Sequence, residues 1–367
     1  MKNMWERIAD TLIGHSLQLR AGERVYIQVS GDIAGDLVEL LLERILQDGG
    51  IPVLRQRSTK QLKAMIKHAS IDQFQQWAEF DRREIESSDA YIGIQAEQNS
   101  FEWNGCGAAQ IEHYRTYYSQ PVHMAMASLN KWVLFKHPTY AMAQTAGMSS
   151  DELMELYRLS CGIDYGEWSR KAALLGQRLE RTSRVRIVSP GTELCFSIEG
   201  IPHYICDGKY NLPDGEVFTA PVVSTVSGQI AFNIPARYMG QSYGEATCRF
   251  AAGELVEVSG VGAAQLRSIL YSDAGASRIG EFGIGLNPYI HQPTGSLNFD
   301  EKMGGSIHLA FGQAFPMAYN GNDSSIHFDM VLSQRAADGG GELYFDDELV
   351  RKDGMFITSD LKGLNDG

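Results

Sequence analysis

The stretch RVYIQVSGDIAGDLVELLLERILQDGGIPVLRQ, residues 24–56, reads as strand, helix, strand. Arg24 to Ser30 is a short run rich in β-branched and aromatic residues, which suits a buried strand. Ala34 to Gln47 carries apolar residues at helical spacing and stops at Gly49-Gly50, where glycine accepts the conformation that ends helices. Pro52 to Gln56 then resumes as a strand. Such a βαβ unit needs a crossover helix between its strands, so the first part of the chain is expected to be a small sheet layered with helices.

Outward from this unit, residues 4 to 20 read as a first amphipathic helix, Ile71 to Ser88 as a polar helix and Ala90 to Gln95 as a further strand. From Met124 to Glu180 the pattern is mostly helical, with a break at Lys136-His-Pro-Thr and an N-terminal cap at Ser149-Ser-Asp-Glu-Leu. After Ser183 the texture changes: glycine and β-branched residues rise, and short strands alternate with turns such as Pro213-Asp-Gly and Asp338-Gly-Gly-Gly. The expected organisation is an α/β N-terminal domain over residues 1–185 and an α+β, strand-rich domain over residues 186–367.

With 367 residues, 44% of them hydrophobic and 21% charged, the chain has an ordinary globular composition and enough length for two cores. A formal net charge of -13 argues against nucleic acid or an anionic membrane surface as partner, since both would be repelled. A peptide or small-molecule substrate fits better. No apolar run approaches the ~20 residues that span a bilayer. The five cysteines are widely spaced and contain no Cys-x-x-Cys pair, which suits a reducing compartment and points to a cytoplasmic protein.

Three segments of the second half carry metal-ligand residue types in period two: Glu281-Phe-Gly-Ile-Gly, Ser306-Ile-His308-Leu-Ala and Ile326-His327-Phe-Asp329-Met. Successive strand residues face opposite sides, so His327 and Asp329 share one face while Ile326, Phe328 and Met330 fill the other. His308 likewise falls with Ala310 and Gly312, and Glu281 with Gly283 and Gly285, leaving room beside each candidate ligand. A fourth segment, Asn211-Leu-Pro-Asp-Gly-Glu216, delivers Glu216 from a turn to the start of a strand. Imidazole and carboxylate without thiolate suit zinc, cobalt, manganese or ferrous iron in a catalytic site better than a structural zinc. Five side chains from four segments can hold two divalent ions ~3.5–4 Å apart if one carboxylate bridges them.

Each residue also has a plainer reading. A glutamate beside a turn is ordinarily solvated, and a lone histidine in an apolar strand is ordinarily a hydrogen-bonded core residue. His-x-Asp on one face is more telling, because a buried charged aspartate needs a cation. Gly283-Ile-Gly285 lacks the third glycine and the helix of a dinucleotide loop, and Gly304-Gly305 lacks the Walker pattern. His203 and His291 lie in turn-rich stretches, and Cys106 has no base partner that the sequence locates.

The chain resembles the aminopeptidase T/aminopeptidase S family of two-metal exopeptidases. The resemblance rests on Leu212-Pro-Asp-Gly-Glu-Val-Phe-Thr-Ala-Pro221, Glu281-Phe-Gly-Ile-Gly-Leu-Asn-Pro288, Phe299-Asp-Glu-Lys302, His308-Leu-Ala-Phe-Gly-Gln313, and Asn322 followed by Ser325-Ile-His327-Phe-Asp329. It is strong over the C-terminal half and rests in the N-terminal half on α/β texture alone. It implies metal ligands at Glu216, Glu281, His308, His327 and Asp329, with Glu281 as the bridge. It also implies a C-terminal metal-binding catalytic domain, a homodimer, activation by cobalt, zinc or magnesium, and attack of activated water on the peptide. Glu301 is the carboxylate expected to move the proton.

One position departs from the family pattern. Seven residues after His308 the pattern has a tyrosine that supports the transition state, and here the residue is Phe315, with Tyr319 the nearest tyrosine in sequence. A phenyl ring offers no hydrogen bond to an oxyanion, and one such donor is worth ~10²–10³ in rate. Two other readings stand beside the peptidase. The related 2,5-dihydroxypyridine dioxygenases cleave a ring with one Fe(II), for which His308, His327 and Asp329 would be the 2-His-1-carboxylate triad. The second is a non-catalytic protein that binds a small molecule at a relic of the site.

Overall fold

The structure, a computed structural model, describes residues 3–99, 101–238 and 241–366. It divides into two compact units, Met1–Gly162 with Gly208–Pro213, and Ile163–Asp207 with Asp214–Gly367. Helices and several sheets make the fold a mixed α/β one.

In the first unit Arg24–Gly31 pairs in parallel with Ile51–Arg57 on one side and Ala90–Ala96 on the other. Trp132–Lys136 and the short Asn211–Leu212 extend the same parallel sheet. Val25, Tyr26, Ile27 and Val29 are all buried, so both faces of the central strand are covered, as a parallel sheet requires. The crossover helix Gly35–Gln47 buries Leu37, Val38, Leu41 and Ile45 along one stripe. At the end of its strand Arg57 donates hydrogen bonds of 2.9 and 3.0 Å to the buried Asp81, which also accepts the Tyr118 hydroxyl.

Some elements differ from the sequence reading. The first helix is α-helical only over Met4–Asp10 and widens to π-type turns over Thr11–Ser16, which includes Gly14. Thr59–His68 is a helix with a capping box at Ser58 that the reading lacked. Trp132–Lys136 is a strand inside a stretch expected to be mostly helical. A five-residue apolar run is too short for periodicity to separate strand from helix, and here pairing with Ala90–Ala96 settles it.

The second unit contains two larger antiparallel sheets. The first runs in the order 254–260, 246–251, 227–232, 192–197, 184–189, 342–345, 348–352, 355–356, and the second in the order 327–333, 306–312, 279–285, 216–219, 204–206. Their apolar faces meet: Phe196 lies against Phe282, and Phe232 and Phe250 against Phe311, with ring centroids 5.1, 6.3 and 6.0 Å apart. Ile284 pairs with Ile307, Leu309 with Met330 and Phe311 with Phe328, so that the alternate residues of these strands take the opposite face. The helix Tyr165–Glu180 buries Trp168, Ala172, Leu175 and Leu179 in the same apolar cluster, so the second unit begins before the first strand of the strand-rich segment. Among the described residues no helix is long and apolar enough to cross a membrane.

Candidate metal centre

The face of the smaller sheet turned away from the apolar cluster gathers the candidate ligands. Ladder pairing sets Glu281 beside Ala310 and Ala310 beside Asp329, His308 opposite Gly283, Gly312 opposite His327, and Glu216 opposite Gly285. Each long polar side chain thus faces a residue with a small side chain or none. At Gly283 the reason is steric, since a Cβ there would lie 2.0 Å from His308 Cε1 and 2.2 Å from its Nε2. The imidazole lies directly over the glycine.

The five side chains form a continuous series. Glu216 Oε2 lies 3.6 Å from His308 Nε2, which is 2.9 Å from Glu281 Oε1. Glu281 Oε2 lies 3.7 Å from His327 Nε2, and His327 Nε2 lies 3.4 Å from Asp329 Oδ1. Glu281 therefore sits between the two histidines, one oxygen toward each. His327 is fixed from behind by a 2.8 Å contact of Nδ1 with the Gln313 carbonyl. Its side chain is 24% exposed while that of His308 is fully buried, so the series opens to solvent at the His327 end.

Burial pushes the Glu281 carboxyl up, against the pull of the two histidines. Burial opposes charge on His308 and His327, yet Glu216 and Glu281 hold the first up at about 9, and Asp329 and Glu281 hold the second up at about 10. Asp329, despite its burial, is held down at about 2 chiefly by His327. The carboxylates thus draw protons onto both imidazoles when no other cation is at hand. Glu216 Oε2, Glu281 Oε2 and His308 Nδ1 are buried without a hydrogen-bond partner. Buried carboxylate oxygens of that kind take up a proton or a cation, and oxygen and imidazole nitrogen are suitable donors for the divalent ions named above. Ligand atoms of Glu216, Glu281 and His308 lie within 4.8 Å of one another, so the residues present fit a metal.

Lys302 and Asp214, to which the sequence reading gave no role, belong to this cluster. Lys302, 1% exposed, places Nζ 2.8 Å from Glu216 Oε1, 2.6 Å from Glu301 Oε1 and 3.6 Å from Asp214 Oδ1. Its position within the quoted Phe299-Asp-Glu-Lys302 motif was the available signal, but lysine is so seldom buried that the signal pointed to the surface. Glu301 enters through that lysine, and burial pushes its carboxyl up to about 8 against the Lys302 charge. Phe315 lies over His327 at 4.5 Å between ring centroids and beside Phe218 at 5.8 Å. Tyr319 is 45% exposed with its hydroxyl engaged by Asp323, which also raises the phenol. His203 faces Glu180, His291 accepts a hydrogen bond from Arg335, and the Cys106 thiol is free in the first unit, none of them in the ligand series.

The family model for thermophilic metalloprotease (M29) matches residues 1–356. The chain belongs to this family. The resemblance read from the C-terminal motifs thereby extends over both halves. Among M29-like relatives, aminopeptidase T of Thermus thermophilus is 26% identical over 94% of this chain and 96% of its own length. Aminopeptidase T of Thermus aquaticus is 24% identical over 92% and 94%, and aminopeptidase PepS of Streptococcus thermophilus 21% identical over 90% and 92%. The solved structure of wild-type AmpT from Thermus thermophilus superposes with a TM-score of 0.80 at 21% identity, covering 97% of this chain and 99% of that one, which shows a shared fold.

Proposed function

We propose that this metal-dependent peptidase is an aminopeptidase that removes N-terminal residues from peptides, with two divalent ions held by Glu216, Glu281, His308, His327 and Asp329. The observation that carries the reading is Glu281, buried between two histidines with one oxygen toward each. Geometry supports two ions over one, because the two Glu281 oxygens face different histidines. Cobalt and zinc suit this imidazole and carboxylate donor set, whereas magnesium, which the resemblance also implies, prefers oxygen ligands alone.

Bound there, such a pair would polarise the scissile carbonyl and bring the pKa of water toward ~7. The remaining work falls to the chain. Glu301, beside Glu216 through their shared contact with Lys302, is suited to take a proton and return it to the leaving amine. The Phe218 and Phe315 rings at the solvent end offer an apolar wall for the substrate's first side chain. Phe315 gives no hydrogen bond there, so this ring does not itself stabilise an oxyanion. The strand-rich part, residues 186–367, is the catalytic domain in this reading. A homodimer is proposed from the resemblance, and a cytoplasmic setting from that and from five cysteines that are all free.

The test compares a dipeptide with a free amino terminus against its acetylated form, in wild type and Glu216→Ala. Hydrolysis of the free form only, lost in Glu216→Ala, is expected. Oxygen consumption on a hydroxylated pyridine that survives Glu216→Ala would establish the one-iron dioxygenase instead.

A further inference from the structure

We infer that Lys302 is a resident cation of this centre: its ammonium fills a third cation position bounded by Cys206, Asp214, Glu216 and Glu301, and leaves Glu216 only Oε2 for the metal pair. The inference rests on the two-ion reading above. Ligand atoms of Cys206, Asp214 and Glu216 lie within 4.8 Å of one another, the same closeness shown by Glu216, Glu281 and His308. The two groups share Glu216, whose oxygens divide between them. Oε1 accepts from Lys302 Nζ at 2.8 Å, whereas Oε2 is buried without a hydrogen-bond partner and faces His308.

The Lys302 main chain is hydrogen-bonded through both its N–H and its carbonyl: the N–H donates to Phe299 O at 3.0 Å and the carbonyl accepts from Asn287 N–H at 2.8 Å. An ammonium carries three donors and a single charge. It can therefore satisfy carboxylates on this side without the soft-ligand preference of a metal. Two consequences follow for the chain. Glu216 is fixed as a one-oxygen ligand, in a set orientation, before any metal arrives. Cys206, a soft donor beside three carboxylates, is denied to thiophilic ions that would otherwise compete for Glu216. Lys302 is thus a positioning residue and a guard on metal number.

The experiment loads wild type, Lys302→Ala and Lys302→Ala/Glu301→Gln with Co(II), dialyses away excess, and records ions per chain and the near-ultraviolet spectrum. Removing a buried carboxyl together with the buried ammonium limits the uncompensated charge that the single variant leaves, which guards against misfolding. Expected are two ions and no thiolate-to-cobalt band in wild type. Both variants should gain one ion and such a band, and Cys206→Ser introduced into them should abolish the band. Wild type with two ions and a folded double variant with the same count and no band would overturn the inference while leaving the two-ion reading intact. Wild type without two ions would overturn the two-ion reading itself.

Discussion

Gly283→Ala is the sharpest steric test of the centre. The new Cβ would sit 2.0 Å from His308 Cε1, 2.2 Å from Nε2 and 2.8 Å from Nδ1, where ordinary contact begins at 3.4 Å. Relief needs a relative shift of more than about 1 Å between strand and ring. The strand cannot retreat, because Gly283 is laddered to Phe218 on one side and His308 on the other. The ring, fully buried, must therefore leave its 2.9 Å contact with Glu281 Oε1. A 1 Å misplacement at a reacting centre costs on the order of 10²-fold in rate. Overpacking of this kind costs about 1–3 kcal/mol in stability, against a gain of only about 0.4–1 kcal/mol from replacing glycine. Metal content after dialysis, release of leucine from an unblocked leucyl amide and thermal melting measure the three effects. Gly14→Ala, whose Cβ would meet nothing within 4 Å, is the control and should leave metal content and rate as in wild type. Full metal content and wild-type turnover in Gly283→Ala would refute the placement of His308 in the centre.

Further outcomes follow from the same geometry. Phe315→Tyr puts a hydroxyl on the ring that overlies His327, and kcat on an unblocked dipeptide should rise at least several-fold with metal content unchanged; an unchanged or lower kcat would show that no oxyanion forms within its reach. In chelated protein the histidines, raised to about 9 and about 10 from ~6.5 in the unfolded chain, stabilise fully below pH ~6.5 and lose that contribution as pH rises through 9 to 10. Its unfolding free energy from urea titration should thus fall between pH 7 and 10 by up to about 6 kcal/mol, at ~1.36 kcal/mol per pH unit for each histidine, and a value flat across that window would contradict the charge assignment. Asp329, held at about 2, contributes above its unfolded value of ~3.9 and loses that contribution as pH falls through 2, so it adds nothing to this window. Asp81→Asn removes the carboxylate partner of Arg57 and should cost about 2–4 kcal/mol in the first unit without altering metal content; a change in bound metal would show a coupling that the ligand series does not contain.

How much of this was legible in the sequence depends on the range of the interactions. Strand and helix over residues 24–57 announce themselves because alternation, helical spacing and the Gly49-Gly50 stop are local. The shared faces of Glu281, His308, His327 and Asp329 are equally local, since period two alone sets them. That these faces belong to adjacent strands is a matter of register between distant segments, and only the motif resemblance anticipated it. Asn211–Leu212 joins the first unit's sheet next to Trp132–Lys136 for the same non-local reason, with no pattern to declare it. Lys302 was hidden most completely. Its burial is the work of Asp214, Glu216 and Glu301 together, and a lysine read alone belongs on the surface.

The most direct test of the account is the elemental analysis of protein purified with neither added metal nor chelator, assayed in parallel on an unblocked dipeptide. Two divalent ions per chain together with release of the N-terminal amino acid are predicted. One iron per chain, oxygen uptake on a hydroxylated pyridine and no hydrolysis would contradict it.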